Sequence, residues 1–177
     1  MLLSTKLRYH GRVFDVRRDL VRFPDGSEGT LDMIRHPGAT AILPFLDDPG
    51  AGDPRVLLIR QFRHAADDFI WEVPAGTLGP GEPPEQCARR ELTEETGYSA
   101  KTIRHLTTIF TTPGFTDEKI HLYLATGLVR GKHHREADEF ITVHSFRWSE
   151  IGQMIRRGEI HDGKTLATLM YLQCFGR

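Results

Sequence analysis

Three glutamates, Glu91, Glu94 and Glu95, lie within five residues of one another. Helical residues three and four positions apart lie on one face, so the three carboxylates can point into one small volume. Like charges at this spacing destabilise a helix, whereas a divalent cation bound between them makes the arrangement favourable. Oxygen ligands suit Mg²⁺, Mn²⁺ or Ca²⁺ rather than zinc. The spacing therefore indicates a metal site.

The same segment allows a second interpretation, a solvated helix face with paired charges. Arg90 and Glu94 are four residues apart, as are Glu85 and Arg89, and both pairs can form ion pairs. The preceding segment 76–82, GTLGPGE, favours the metal site instead. Its glycines let the backbone turn tightly and approach a ligand closely. A phosphate linked to the protein through the metal would explain both features.

Local signals around the glutamates predict the helix that must position them. Proline suits the first turn of a helix, and Pro83 and Pro84 precede a stretch without helix breakers, 84–95. Gly97 follows this stretch and can end the helix in the left-handed conformation.

Short apolar or alternating runs predict strands along the rest of the chain. Residues 1–37 should form a small antiparallel β unit, separate from the remainder at 38–177. Pro44 predicts that the strand at 39–46 is interrupted or lies near a sheet edge. Strands interleaved with helices predict an α/β protein with a mixed sheet. The further predicted elements are strands at 55–62, 69–74, 103–111, 119–126 and 140–147, a helix capped by Ser149 that ends near Arg157, and a helix at 163–175.

Composition excludes several classes of function. The 177 residues suffice for one well-cored domain, and 23 basic against 24 acidic residues leave no basic excess for a nucleic-acid partner. No apolar run approaches the roughly 18 residues that a membrane span needs, and no signal peptide is evident. Cys87 and Cys174 lack zinc-binding spacing, and we expect two reduced thiols in a cytoplasmic protein without a membrane partner.

The segment 76–98 resembles the Nudix box, G-x5-E-x7-R-E-U-x-E-E-x-G-U. The matching residues are Gly76, Glu82, Arg90, Glu91, Leu92, Glu94, Glu95, Gly97 and Tyr98, of which Tyr98 replaces a usually aliphatic residue. The resemblance implies a Nudix α/β/α sandwich and hydrolysis of a nucleoside diphosphate linked to another group, with Mg²⁺ or Mn²⁺. It implies metal binding by Glu91, Glu94, Glu95 and the carbonyl of Ala75, and support of the box by Gly76, Glu82, Arg90 and Gly97.

Two further stretches resemble the ADP-ribose pyrophosphatase subgroup of that family. Pro113 follows Gly97 by 16 residues, within TPGFTDE at 112–118. This resemblance implies that Gly114, Phe115 and Glu118 line the terminal-ribose end of the substrate. In RQFRHA, 60–65, it implies that Arg63 contacts the substrate, whereas Arg60 is a phosphate ligand or a surface ion pair. Phe14 is a candidate to stack on adenine, although such an aromatic is more often a core residue.

The segment EADEF at 136–140 resembles the loop that carries a catalytic glutamate in similar enzymes. Alignment on the following strand favours Glu139 as the general base, with Glu136 as the alternative. A solvated acidic loop is the other interpretation. The resemblance also implies that the N-terminal β unit reaches across to a partner, which would form a homodimer with two composite sites.

These observations predict metal-dependent hydrolysis of ADP-ribose to AMP and ribose 5-phosphate. Another nucleoside diphosphate sugar, such as GDP-mannose or ADP-glucose, is the nearest alternative substrate. A non-catalytic Nudix nucleotide sensor is the alternative from another class. Such sensors often lose box glutamates, and this chain keeps all of them.

Overall fold

The computed structural model describes residues 1–131 and 140–176. Within these residues the chain forms ten strands, three α-helices and a short 3₁₀ turn at His64–Ala66. The elements are β1 Leu2–His10, β2 Asp15–Arg22, β3 Glu28–Arg35, β4 Ala39–Pro44, β5 Arg55–Arg63, β6 Asp68–Glu72, β7 Ala75–Thr77, α1 Pro84–Thr96, β8 Tyr98–Phe110, β9 Lys119–Arg130, β10 Ile141–Arg147, α2 Trp148–Arg156 and α3 Gly163–Phe175.

The described strands form three sheets. An antiparallel sheet has the order β1-β2-β3, a second antiparallel sheet has the order β10-β5-β6, and a mixed sheet has the order β7-β4-β9-β8. In the mixed sheet β4 and β9 are parallel, while β7 and β8 pair antiparallel with their neighbours. The prediction of an α/β protein with a mixed sheet is confirmed.

Strand β4 is the centre of the molecule, and all six of its residues are buried. Successive side chains of a strand point to opposite faces. Leu43 packs into the core that holds α2 and α3, whereas Ile42 packs into the core that holds α1. Helices therefore cover both faces of the mixed sheet, as the predicted α/β/α sandwich requires.

Pro44 ends this strand two residues before the predicted end at 46, but it does not place the strand at a sheet edge, contrary to that part of our prediction. It is the last residue of β4, which lies between β7 and β9. The missing N–H of a proline costs least at the end of a strand, and the next residue, Phe45, already donates its N–H to the carbonyl of Ala125 at 2.9 Å.

Helix α1 has the predicted ends. Pro84 occupies its first turn, and Gly97 follows its last residue with a φ of 75°, in the left-handed region that glycine tolerates. Helix α2, in contrast, starts two residues earlier than a helix capped by Ser149 would, and its cap residue is Arg147. The carboxylate of Glu150 accepts the N–H of the cap residue, Arg147, while the hydroxyl of Ser149 donates to Asp53.

The sheet β1-β2-β3 joins the rest of the molecule through β3. The N–H of Ile34 donates to the carbonyl of Phe115 at 2.7 Å, and the N–H of Asp117 donates back to Ile34 at 3.2 Å. Arg35 forms ion pairs with Asp117 and with the buried Asp19. The segment 112–118 is thus held against the N-terminal sheet.

Both cysteines are free thiols, with Cys87 buried and Cys174 exposed. Each helix in the described part of the chain falls short of the length and apolarity needed to cross a bilayer.

Candidate active site

A cavity of ≈600 Å³ opens where four segments of the chain meet. Strand β7 forms one wall, and the end of β5 contributes Arg63. The other walls come from the loop between β8 and β9 and from the start of α3. Its described lining residues are Ala39, Arg63, Ala75, Gly76, Thr77, Thr111, Thr112, Glu118, Ile120, Asp162, Gly163 and Lys164.

Two glutamates of α1 fasten this helix to β7. A Cβ atom added to Gly76 would lie 1.8 Å from Oε1 of Glu91, so only glycine leaves room for that carboxylate. Oε2 of Glu95 accepts the N–H of Ala75 at 2.9 Å. Both glutamates are buried. The wall of the cavity that carries Ala75 and Gly76 is therefore backed directly by carboxylates.

Arg90 connects the glycine-rich loop to the acidic face of α1. Its Nε and Nη2 each donate to the Glu82 carboxylate at 3.0 Å, and its Nη1 donates to Glu91 at 2.6 Å and Glu94 at 3.0 Å. The hydrogen bonds from Arg90, with one from the N–H of Gly79, lower the pKa of Glu82 to about 2. These contacts hold the glycine-rich loop against α1. The charged partners of Arg90 are all glutamates.

The donor set around β7 fits a hard divalent cation. Carboxylates and a backbone carbonyl are the ligands that Mg²⁺ and Mn²⁺ prefer, and Ala75 and Gly76 border the cavity. Within residues 1–131 and 140–176, no three side chains of His, Cys, Asp or Glu converge as a ready metal centre. The guanidinium of Arg90 lies between Glu91 and Glu94 and neutralises their repulsion. The oxygen donors around β7 support the interpretation of the acidic helix as a metal site. The ion pairs of Arg89 and Arg90 support the interpretation as a solvated face with paired charges.

A second charged cluster borders the cavity, around the fully buried Glu72. Arg63 donates to both carboxylate oxygens of Glu72, at 2.6 and 2.8 Å, and this pairing raises the pKa of Arg63. Lys164 also donates to Glu72, and to Asp162 at 3.1 Å. A role for Arg63 was predicted from the sequence, whereas Glu72, Asp162 and Lys164 were not predicted. The polar start of α3, DGKT, does not by itself indicate which of its side chains reach the site.

Glu118 borders the cavity as predicted from the sequence. Its Oε2 accepts the hydroxyl of Thr111 at 2.9 Å, and its Oε1 lies 3.4 Å from Nδ1 of His36. Gly114 and Phe115 are absent from the described lining of the cavity. The ring of Phe115 is half-exposed, and its carbonyl is bound to Ile34 of β3.

Arg60 and Phe14 lie away from this cavity. Arg60 is three residues from Arg63 on β5, which places it on the opposite face of the strand. Its guanidinium lies 5.7 Å from the ring centroids of Phe69 and Trp71. Phe14 borders a separate cavity of ≈350 Å³ in the N-terminal sheet, together with His10, Arg12 and Arg35. Glu136 and Glu139 lie outside the described residues.

Comparison with known families decides the identity of the fold. A model of the NUDIX domain matches residues 35–169. The chain belongs to the Nudix family. Enzymes of this family generally require a divalent cation.

The relatives of this Nudix chain include proteins named as pyrophosphatases of two nucleoside diphosphate sugars. It is 36% identical to ADP-ribose pyrophosphatase of Bacillus subtilis (strain 168) over 93% of this chain and 88% of that protein. It is 39% identical to ADP-ribose pyrophosphatase of Mycobacterium tuberculosis (strain ATCC 25618 / H37Rv), over 95% and 80%. GDP-mannose pyrophosphatase of Salmonella paratyphi B is 39% identical over only 67% of this chain and 66% of that protein.

A solved structure described as an ADP compounds hydrolase has the same fold as this Nudix chain. Its TM-score is 0.80, and the match covers 99% of this chain and 92% of the other. The sequence identity is 20%, so this similarity concerns the fold alone.

Proposed function

We propose that this Nudix enzyme hydrolyses the pyrophosphate of ADP-ribose to AMP and ribose 5-phosphate. The observation that carries the proposal is the arrangement at the cavity: box carboxylates back one wall, and Arg63 and Glu118 contribute to the others. The ADP-ribose pyrophosphatases match nearly the whole chain, whereas the GDP-mannose enzyme matches two thirds of it. That difference favours ADP-ribose over GDP-mannose.

Glu91, Glu94, Glu95 and the carbonyl of Ala75 would hold Mg²⁺ or Mn²⁺. When bound, the cation neutralises the pyrophosphate and lowers the pKa of the attacking water. Glu82 and Arg90 support this site through the loop–helix contacts described above. Gly76 supports it by leaving space for Glu91, and Gly97 supports it by ending α1 where the acidic face ends.

Arg63 would orient a phosphate, because a guanidinium binds phosphoryl oxygens in a fixed fork. Glu118 would accept a hydroxyl of the terminal ribose. Gly114, Phe115 and Phe14 would reach substrate only if the N-terminal sheet extends to a partner's cavity in a homodimer. Exposed apolar side chains on that sheet support such a dimer: Leu2, Leu7, Tyr9 and Leu31. Arg60, held over two aromatic rings, would affect substrate binding least.

Glu139 would remove a proton from the attacking water, and Glu136 is the alternative base. Exchange of each for glutamine separates the two. Glu139→Gln should lower kcat by about 10²-fold or more, the usual contribution of a general base, while Glu136→Gln stays near the wild type. The reverse pattern would assign the base to Glu136.

The test of the function is hydrolysis of ADP-ribose, ADP-glucose, GDP-mannose, NADH and a nucleoside triphosphate, with Mg²⁺, with Mn²⁺ and with EDTA. We expect the highest kcat/KM for ADP-ribose and no turnover in EDTA. A preference for GDP-mannose would support metal-dependent hydrolysis by the Nudix box but would assign GDP-mannose, not ADP-ribose, as the substrate. Binding of ADP-ribose without turnover of any compound would support a nucleotide sensor instead.

A further inference from the structure

His36 lies between the N-terminal sheet and the active-site cavity. It directly follows β3, and its side chain is only 11% exposed. Its Nδ1 accepts the N–H of Gly38 at 3.1 Å, and Oε1 of Glu118 lies 3.4 Å from the same nitrogen. Glu118 borders the active-site cavity, whereas His36 borders the separate cavity of Phe14. One ring nitrogen is therefore shared between the turn into β4 and a carboxylate of the site.

The two neighbours of Nδ1 require different protonation states of His36. A neutral imidazole has one N–H and one lone pair, so an Nδ1 that accepts the N–H of Gly38 carries no proton. This lone pair and Oε1 of Glu118 are then two acceptors with no proton between them, and they repel each other. An imidazolium instead donates from Nδ1 to Glu118, and the N–H of Gly38 loses this acceptor. His36 thus has one partner when it is neutral and the other when it is protonated.

The carboxylate of Glu118 has one oxygen occupied and one that only His36 approaches as a cation. Oε2 accepts the hydroxyl of Thr111 at 2.9 Å. Within residues 1–131 and 140–176, His36 is the only side chain in ion-pair contact with Glu118. Oε1 is therefore the oxygen left for a hydroxyl of the substrate, and a protonated His36 competes for it.

We propose that His36 is a positioning residue for Glu118: neutral His36 leaves Oε1 free to accept a hydroxyl of the terminal ribose, and protonated His36 withdraws that oxygen into an ion pair. The inference rests on the proposed function, which assigns Glu118 to the ribose. Histidine ordinarily changes its charge between about pH 5 and 8, so the affinity for substrate should fall as the pH falls through this range. His36 acts through Glu118 and needs no contact with the substrate.

The other charged groups around His36 have partners or lie in the cavity of Phe14. The backbone N–H of His36 donates to Asp117 at 3.0 Å, and that carboxylate also pairs with Arg35. The charged residues that border the cavity of Phe14 beside His36 are His10, Arg12, Asp15 and Arg35. In the part of the chain that the structure describes, Glu118 is the one carboxylate within ion-pair distance of the His36 ring.

His36→Asn separates the titration of His36 from its role in the turn. An asparagine oxygen accepts the N–H two residues ahead in an Asx-turn, so this variant keeps a bond to Gly38 and cannot be protonated. His36→Gln is a second variant with the same chemistry, in case the first does not fold.

Two controls address the other groups in this region. Thr111→Val removes the hydroxyl that holds Oε2 of Glu118 and keeps His36. His10→Asn removes another histidine, which pairs with Asp15 at 2.7 Å and borders the same cavity as His36.

The experiment measures KM and kcat for ADP-ribose with Mg²⁺, and the affinity for ADP-ribose in EDTA by calorimetry, between about pH 5.5 and 8. Loss of one hydrogen bond to the ribose should raise the wild-type KM about fivefold from the highest to the lowest pH, and weaken binding similarly. In His36→Asn and His36→Gln both quantities should stay near the wild-type values measured at high pH. The ratio of kcat between His36→Asn and the wild type should change less than about twofold with pH, because Glu118 acts in binding.

Thr111→Val and His10→Asn should keep the wild-type dependence of KM on pH. The inference is wrong if His36→Asn shows that dependence as well, if the wild type shows none, or if His10→Asn abolishes it. Failure of the proposed function looks different. The wild type would then hydrolyse no ADP-ribose at any pH with Mg²⁺, whereas failure of this inference leaves turnover intact and gives the wild type and His36→Asn the same pH dependence.

Discussion

Two charged clusters lie beside the cavity wall, one around Arg90 and one around Glu72, and they are built in different ways. Arg90 pairs with carboxylates at most eight positions away from it, on one loop and one helix. The cluster of Glu72 joins Arg63, nine residues before it, to Lys164, 92 residues after it. One cluster is local along the chain, and the other exists only because β5, β6 and α3 pack together.

The two clusters also differ in burial. The side chain of Arg90 is 38% exposed, so water can replace its contacts when a carboxylate turns away. Glu72 is fully buried, and water cannot reach it. A buried carboxylate needs its partners permanently, whereas exposed ion pairs contribute little to stability. We infer that the local cluster is suited to change its partners during catalysis, and the distant one to stay fixed.

The largest expected effect is on the local cluster. Glu91→Gln with Glu95→Gln should lower kcat/KM by about 10³-fold or more, equivalent to about 4 kcal/mol of transition-state stabilisation. The physical reason is the loss of two negative ligands for the divalent cation. Hydrolysis of ADP-ribose with Mg²⁺ checks the result. Glu85→Gln is the matched control on the same helix, because Glu85 pairs only with the exposed Arg89 in the described contacts. Turnover that survives the double exchange would refute the metal-helix mechanism.

Glu72→Gln should have the largest effect on stability. It leaves Arg63 and Lys164 beside a neutral amide, and loss of one partner from a buried pair costs about 3 kcal/mol or more. Urea unfolding at pH 7 measures this change. Glu85→Gln should stay within about 1 kcal/mol of the wild type in the same assay, because its ion pair is exposed. Equal changes in unfolding free energy for the two variants would contradict the proposed difference between buried and exposed ion pairs.

Gly76→Ala tests the contact between the local cluster and the cavity wall. The added Cβ would overlap Oε1 of Glu91 at 1.8 Å, so the carboxylate must move. A displacement of about 1 Å at a catalytic group can lower kcat about 10²-fold. Gly152→Ala is the control, because its Cβ would meet no atom within 4 Å. Normal kcat in Gly76→Ala would show that the position of Glu91 is not critical.

Glu82→Gln should have the smallest effect. The pKa of Glu82 in the folded protein, about 2, is below its ordinary value of 4.5. Its contribution to stability is therefore fully present above about pH 4.5 and is lost as the pH falls towards 2. The partner Arg90 is partly exposed, so we expect a loss below about 1 kcal/mol at neutral pH. Urea unfolding from pH 7 to pH 3 should show the two proteins converging in acid. A difference in unfolding free energy between the two proteins that grows as the pH falls would contradict the expected direction of the pH dependence.

Contacts local along the chain could be predicted from the sequence, and contacts between distant segments could not. Arg90–Glu94 and Glu85–Arg89 were predicted from helical spacing, and both ion pairs form. The left-handed Gly97 was also predicted from local rules and is confirmed. The edge position predicted from Pro44 was wrong, because the position of β4 in the sheet depends on which strands flank it and not on the proline itself.

Other parts of the site had no local signal. Lys164 and Asp162 sit at an ordinary helix start, and nothing nearby indicates that they meet Glu72. His36 lies 82 residues before Glu118, yet the two side chains are 3.4 Å apart. Conversely, Gly114 and Phe115 follow Pro113 in a motif that resembles substrate-binding loops, but the loop's own hydrogen bonds direct it to β3.

The sequence by itself determined the acidic helix, its ends and its internal ion pairs, because helical contacts join residues three and four positions apart. It also determined the family through the box, and hence the class of reaction. Only the tertiary structure decided which other residues border the cavity next to that helix. Those residues are brought together by strand pairing and by the docking of α3, whose partners lie tens of residues away, and no spacing rule within one segment specifies such contacts.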